Sequence, residues 1–86
     1  MLSLFLHDNG LETPLLQHRL VQSWPEVVGT DIAQRSEALE IRSEVLWVRV
    51  NSPALASDLQ MRRTELVLSL NARAGAILIR DIRFVV

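Results

Sequence analysis

The chain has 86 residues, a formal net charge of −1 and no cysteine. This length fits one domain, residues 1–86, and the missing cysteines exclude disulfides and thiolate metal sites. The near-zero charge excludes a global basic field for nucleic acid, and no stretch approaches the ~20 apolar residues of a membrane span. Without a convincing signal peptide, the protein is expected to be cytoplasmic.

Two amphipathic helices are predicted ahead of the first strand. The first lies in "MLSLFLHDNG", where Leu2, Phe5 and Leu6 recur at helical spacing. The second is capped by Thr13 and has Pro14 in its first turn. Its apolar stripe consists of Leu16, Leu20, Trp24 and Val27.

The Trp24-Pro25 pair interrupts the second helix. Because proline has no N–H and clashes with the preceding turn, the helix is expected to kink or end at Trp24. A large aromatic residue at helical spacing most often belongs to the core, so we interpret Trp24 as a packing corner. Gly29 then ends the run, and "TDIAQRS" predicts one or two further helical turns.

Two alternating runs, "ALEIR" and "VLWVRVN", predict a β-hairpin. Its core face is predicted to carry Leu39, Ile41, Leu46, Val48 and Val50. Its opposite face is predicted to carry Ala38, Glu40, Arg42, Val45, Trp47 and Arg49. Because Ser43-Glu44 is not a preferred pair for a tight mirror-image turn, we expect a slightly longer loop.

One long helix is predicted in "NSPALASDLQMRRTELVLSLNARAG", with Ser52 as its cap and Gly75 as its end. The inward stripe is Leu55, Leu59, Leu66 and Leu70. In this helix Arg63 falls near the stripe and Arg62 at its border, where pairing with Glu65 or Asp58 is expected.

The last segment, "AILIRDIRFVV", predicts a third strand with Ile82 and Phe84 inward. Arg80 falls in the same register, so either a bulge shifts the phase near it or it lies at the margin of the sheet. The order α-α-β-β-α-β predicts a two-layer α+β fold, with helices on one face of a three-stranded sheet made of a hairpin and a crossover strand.

The stretches "WPEVVGTDIAQRS", "VLWVRVNSPALASDLQMRRTELVLSLN" and "RDIRF" together resemble the DciA-type family of bacterial replicative-helicase operators. The resemblance runs from about Leu11 to Phe84. It implies a K-homology-like fold, a non-enzymatic accessory role in DNA replication, contact with the replicative helicase and weak binding of single-stranded DNA. The glycines Gly10, Gly29 and Gly75 cannot form the Gly-x-x-Gly loop that clamps a nucleic-acid backbone in K-homology domains.

Candidate functional residues fall into two sets. For nucleic acid, an aromatic side chain among arginines suits stacking and phosphate contacts; the candidates are Arg42, Trp47, Arg49, Arg62 and Arg83. For a protein interface, which includes a possible homodimer, apolar side chains predicted to be exposed are the candidates: Trp47, Ile77, Ile79, Met61 and Leu68.

No sequence motif for catalysis or metal binding accompanies these residues. His7 and His18 lie on different predicted helices, without metal-ligand spacing, and no nucleophile motif is present. The sequence therefore predicts no metal, no cofactor and no catalysis. The alternative to a replication accessory is a general protein-interaction or RNA-binding module of the same fold.

Overall fold

The computed structural model describes residues 12–86. The first predicted helix, with Leu2, Phe5, Leu6 and His7, lies outside these residues. The elements follow in the order α1 (Glu12–Gln22), α2 (Trp24–Val28), α3 (Thr30–Ala33), β1 (Ser36–Arg42), β2 (Val45–Val50), α4 (Pro53–Met61), α5 (Arg63–Ala74) and β3 (Asp81–Val85). None of these helices is long and apolar enough to cross a membrane.

The three strands form one mixed sheet in the order β1-β2-β3. The β1–β2 pair is antiparallel, and β2–β3 is parallel. A parallel pair needs a crossover, which α4 and α5 provide. The predicted α+β class, with helices followed by a hairpin, a helical crossover and a third strand, is confirmed.

The hydrophobic core lies between this sheet and the helices. Its buried members are Leu20, Trp24, Leu46, Val48, Val50, Leu55, Leu59, Leu66, Leu70, Ala74, Ile79 and Ile82. The predicted leucine stripe of the crossover and the inward side chains of β2 are all among them. Burying this apolar surface is the main favourable contribution to folding.

Trp24 is a packing corner, as predicted, and is only 1% exposed. Its indole Nε1 donates to Ser36 Oγ at 2.9 Å, and the Ser36 hydroxyl donates to the Ile32 carbonyl at 2.7 Å. The helix breaks at Ser23, one residue earlier than expected, where the Ser23 hydroxyl donates to the Leu20 carbonyl at 2.7 Å. Pro25 then fits the first turn of α2, where no N–H is needed.

The predicted inward position of Leu39 is wrong. Ala38 pairs with Val48 and Glu40 with Trp47, so Leu39 is an extra residue in β1. This β-bulge reverses the inward–outward phase of the strand. Ala38 therefore packs against the core, whereas Leu39 is 39% exposed.

The hairpin loop is shorter than expected. Arg42 pairs with Val45, which leaves Ser43 and Glu44 as a two-residue turn with φ of 51° and 65°. Positive φ at both central residues is the mirror-image turn that suits a hairpin, although neither residue is glycine. A tertiary contact accompanies it: the Arg80 backbone N–H donates to the Glu44 carbonyl at 2.9 Å.

The crossover consists of two helices rather than the one predicted. The chain leaves helical geometry at Arg62, whose φ is −101° and ψ is 11°. The two helices have different partners, since α4 contacts β2 and β3 whereas α5 contacts α1, α2 and β3. Neither glycine nor proline marks the break. Arg62 pairs with Asp58 at 3.0 Å, as expected.

The third strand begins only at Asp81. The prediction that Ile79 belongs to this strand and is exposed is therefore wrong. The segment 77–79 is not strand, and the Asn71 side chain instead hydrogen-bonds the backbone of Leu78 and Ile79. Asn71 Oδ1 accepts from Leu78 N and Ile79 N at 3.0 and 3.1 Å, and Asn71 Nδ2 donates to the Ile79 carbonyl at 2.9 Å. Ile79 is consequently 1% exposed and is excluded as an interface residue, while Arg80 lies at the sheet margin.

Candidate functional site at the turn end of the sheet

The face of the sheet turned away from the helices carries three rows of side chains. These positions alternate with the buried residues of β2 and β3 and therefore point the other way. Across β1, β2 and β3 the rows are Arg42–Val45–Asp81, Glu40–Trp47–Arg83 and Glu37–Arg49–Val85. The row with Arg42 adjoins the hairpin turn.

Charges on this open face are balanced, with three arginines and three carboxylates in the rows. Each arginine has an acidic partner: Arg42 with Glu40 at 3.2 Å, Arg49 with Glu37 at 2.8 Å and Arg83 with Asp81 at 4.0 Å. These pairs are largely exposed, so they add little stability. They do reduce the positive potential that favours binding of a phosphate backbone.

Trp47 is half-buried on this face. The Arg42 guanidinium carbon lies 4.6 Å from the Trp47 ring centroid, within the range of a cation–π contact. Arg83 is the β3 neighbour of Trp47. With Ser43 and Val45, these three residues line a shallow hollow of about 310 Å³. The hollow thus offers an aromatic side chain between two guanidinium groups.

A second, polar cleft lies between the N-terminal part of α5 and the start of β3, with a volume of about 480 Å³. It is lined by Val45, Arg63, Thr64, Val67, Leu68, Arg80, Asp81 and Arg83. Arg63 Nε lies 3.1 Å from Asp81 Oδ1, and Arg83 Nε lies 4.0 Å from Asp81 Oδ2. The same Asp81 Oδ1 accepts the Ile82 backbone N–H at 2.8 Å, which fixes the carboxylate in place.

The hollow and the cleft share Val45 and Arg83, so they form one continuous surface. We call it the arginine surface: Arg42, Arg63, Arg80 and Arg83 around Trp47 and Asp81. Asp81 is the single carboxylate among the described residues that line it. Glu40 and Glu44 lie at its border, paired with Arg42 and Arg80 at 3.2 and 3.4 Å. A chain of net charge −1 thus carries one excess positive charge at this end of its sheet.

The structure brings together only part of the predicted nucleic-acid set. Arg42, Trp47 and Arg83 lie on the arginine surface. Arg49 lies in the row farthest from the turn, and Arg62 pairs with Asp58 outside both the hollow and the cleft.

Sequence reasoning missed Arg63 and Arg80. One continuous helix would have placed Arg63 near the core, and a longer third strand would have included Arg80. The segment 77–80 is tied to α5 through Asn71, and Asp81, which follows it, pairs with Arg63. That contact could have been predicted only if the start of β3 at Asp81 had been known from the sequence.

The predicted protein-interface residues are exposed, apart from Ile79 and the half-buried Trp47. Ile77, Met61 and Leu68 are 89%, 85% and 67% exposed. Leu68 lines the cleft, whereas Met61 and Ile77 do not line either part of the arginine surface. Within residues 12–86 no group of three or more His, Cys, Asp or Glu side chains could hold a metal ion.

The structure defines a small α+β domain with a three-stranded mixed sheet, and comparison with known proteins gives its family. The family model described as "Dna[CI] antecedent, DciA" matches residues 1–84. The chain therefore belongs to the DciA family, which confirms the resemblance seen in the sequence. A UPF0232 protein of Streptomyces coelicolor is 36% identical over 70 residues, which are 79% of this chain and 37% of that protein. The aligned part is thus little more than a third of that relative.

Proposed function

We propose that the chain is a non-enzymatic, cytoplasmic accessory of bacterial DNA replication that binds the replicative helicase. The observation that carries this proposal is the DciA family match over residues 1–84, because membership in that family implies a role in loading or operating the helicase. The chain would act by docking on the helicase ring and biasing its loading onto single-stranded DNA.

The features of the arginine surface support a protein partner. Arginine is enriched at protein interfaces because its planar guanidinium makes several hydrogen bonds and still packs well. Trp47 and Leu68 add apolar area beside the arginines. Surfaces that combine aromatic, aliphatic and arginine side chains often contain the residues that dominate binding energy.

Co-sedimentation of the full chain with the purified replicative helicase of the same organism tests the proposal. We expect a complex at roughly 10 µM of each protein, a concentration suited to a micromolar Kd. An unrelated ring-shaped ATPase serves as the control and should not co-sediment. Absence of association with the helicase at that concentration would overturn the proposal.

Weak single-stranded DNA binding is the auxiliary part of the proposal. Trp47 between Arg42 and Arg83 suits stacking of a base with phosphate contacts beside it, as in sequence-tolerant single-strand binding. The acidic partners of these arginines keep the expected affinity low. Quenching of Trp47 fluorescence by dT15 measures it, because buried Trp24 contributes a constant background.

A salt titration checks the phosphate contacts. If about two phosphates are neutralised, log Kobs falls with log[salt] at a slope of about −1.4. A flat response, or no quenching at low salt, would contradict the DNA part alone. Trp47→Ala should abolish stacking while leaving the fold intact, since Trp47 lies outside the buried core.

Two alternatives have distinct outcomes in the same assays. A general RNA-binding module predicts that U15 binds more tightly than dT15, without helicase association. A homodimer through the open face predicts that Trp47→Ala lowers the sedimentation coefficient while the affinity for dT15, measured for this variant by the anisotropy of a fluorescently labelled dT15, is unchanged.

A further inference from the structure

We propose that the cleft between α5 and β3 docks an acidic segment of a protein partner that carries an aliphatic side chain. The inference deepens the proposed function and rests on it for the partner's identity, because the helicase would supply the segment. The chemistry of the segment follows from the lining of the cleft alone.

The charge in the cleft favours an acidic partner. Arg63 and Arg83 share the carboxylate of Asp81, so one of these two positive charges remains uncompensated. Arg80 reaches Glu44, at 3.4 Å, but both side chains are more than two-thirds exposed. Each guanidinium has five N–H donors. The cleft can therefore receive further carboxylate oxygens, and clusters of arginine are a recurrent way of recognising acidic motifs.

The apolar lining of the cleft favours an aliphatic side chain in that partner. Val45, Val67 and Leu68 lie between the arginines, and the Leu68 side chain remains exposed in the cleft. An aliphatic side chain from a partner would cover Leu68 while neighbouring carboxylates meet the arginines. Burial of that area favours binding at about 25 cal/mol per Å² before the costs of association.

The lining of the cleft also distinguishes a protein segment from single-stranded nucleic acid. No aromatic side chain is among the described residues that line the cleft. Sequence-tolerant binding of single strands depends on aromatic side chains for stacking. Trp47 provides such a platform in the adjoining hollow but not in the cleft. The cleft thus favours carboxylates and aliphatic groups over nucleotides.

A nitrogen-15 NMR titration of the full chain tests the proposal. The probes are a twelve-residue peptide of Glu, Asp and Leu, the same peptide with Lys at the acidic positions, and dT15. With the acidic peptide we expect saturable shifts at the amides of Thr64, Leu68 and Asp81, and with the lysine peptide none. No saturable shift at these amides would overturn the proposal. The proposal would also be overturned if dT15 shifted the amide resonances of Thr64 and Leu68 more than the acidic peptide does at equal concentration.

Matched variants locate the binding surface. Arg80→Glu and Leu68→Glu should each weaken acidic-peptide binding about tenfold, since one reverses a charge and the other places a carboxylate among arginines. The controls are Arg19→Glu and Leu15→Glu: Arg19 is exposed on α1, and Leu15 is 68% exposed, much like Leu68. They should leave binding unchanged. Equal weakening by the controls would overturn the proposal, and spectra of all four variants verify the fold.

The helicase itself separates this inference from the proposed function. If the wild-type chain binds the helicase and Arg80→Glu and Leu68→Glu bind it equally well, the cleft proposal fails and the function stands. If the wild-type chain does not bind the helicase, the function fails, and the peptide titration still decides whether the cleft accepts an acidic segment.

Discussion

Ser36 and Asn71 show how single polar side chains hold the irregular parts of this domain. Ser36 joins Trp24 to the end of α3 through two hydrogen bonds. Asn71 makes three hydrogen bonds to the backbone of Leu78 and Ile79, the segment before β3 that does not pair as a strand. Both residues satisfy groups that would otherwise be partly buried without a partner, and such groups are costly.

Replacing Ser36 by alanine tests the first of these connections. The change removes the acceptor of Trp24 Nε1 and the donor to the Ile32 carbonyl, so we expect a loss of about 1–2 kcal/mol in the free energy of unfolding. Urea unfolding followed by circular dichroism measures it. Ser69→Ala, at an exposed position on α5, is the control and should change stability by less than about 0.5 kcal/mol. A loss from Ser36→Ala as small as the control's would contradict the expectation.

Replacing Asn71 tests the second connection. Asn71→Ala removes three hydrogen bonds and should cost about 2–3 kcal/mol. Asn71→Asp retains the acceptor for Leu78 and Ile79 but loses the donor to the Ile79 carbonyl, so its loss should be smaller. Thermal unfolding gives the order, with Asn51→Ala at an exposed position as control. An Asn71→Asp variant less stable than Asn71→Ala would contradict this account of the segment.

At the scale of elements, periodicity predicted which residues face the core, and tertiary contacts set where elements start and stop. The leucines of α4 and α5 and the alternation in β2 lie as the pattern indicated. The bulge at Leu39 and the late start of β3 depend on partners distant in sequence. Leu39 leaves the core because of the pairing of β1 with β2, and Ile79 enters it because of Asn71.

The arginine surface shows the same limit of sequence reasoning. Arg42, Trp47 and Arg83 could be predicted to share a face, because alternation fixes the face of a strand residue. Arg63 and Arg80 could not be added, because their positions depend on the break at Arg62 and on the non-strand segment before Asp81. Neither feature has a local signal such as glycine or proline.

The hairpin turn offers a test at this scale. Ser43 and Glu44 adopt positive φ, which costs about 1 kcal/mol at residues with a side chain. Ser43→Asn with Glu44→Gly supplies the preferred pair for this turn and should raise stability by about 1 kcal/mol, even after the exposed Arg80–Glu44 pair is lost. Ser43→Val, with its branched side chain, should lower it. Unchanged stability in the Asn-Gly variant would contradict the assigned turn geometry.

At the scale of the whole molecule, the distribution of charge matters more than its sum. The open face is balanced, whereas at the turn end of the sheet Arg42, Arg63, Arg80 and Arg83 outnumber their carboxylate partners Glu40, Glu44 and Asp81 by one. We therefore expect this end of the domain to attract acidic surfaces more strongly than it attracts nucleic acid. Its binding to a partner should weaken with added salt, because exposed charges are screened within about 10 Å at 0.1 M.

We propose that the domain docks on the replicative helicase through the arginine surface. Hydrogen–deuterium exchange of the full chain, alone and with the helicase, tests it most directly. We expect slower exchange in residues 63–68 and 80–83 when the helicase is present and little change along α1. A complex in which protection is confined to α1, or in which residues 63–68 and 80–83 exchange as in the free chain, would contradict the claim.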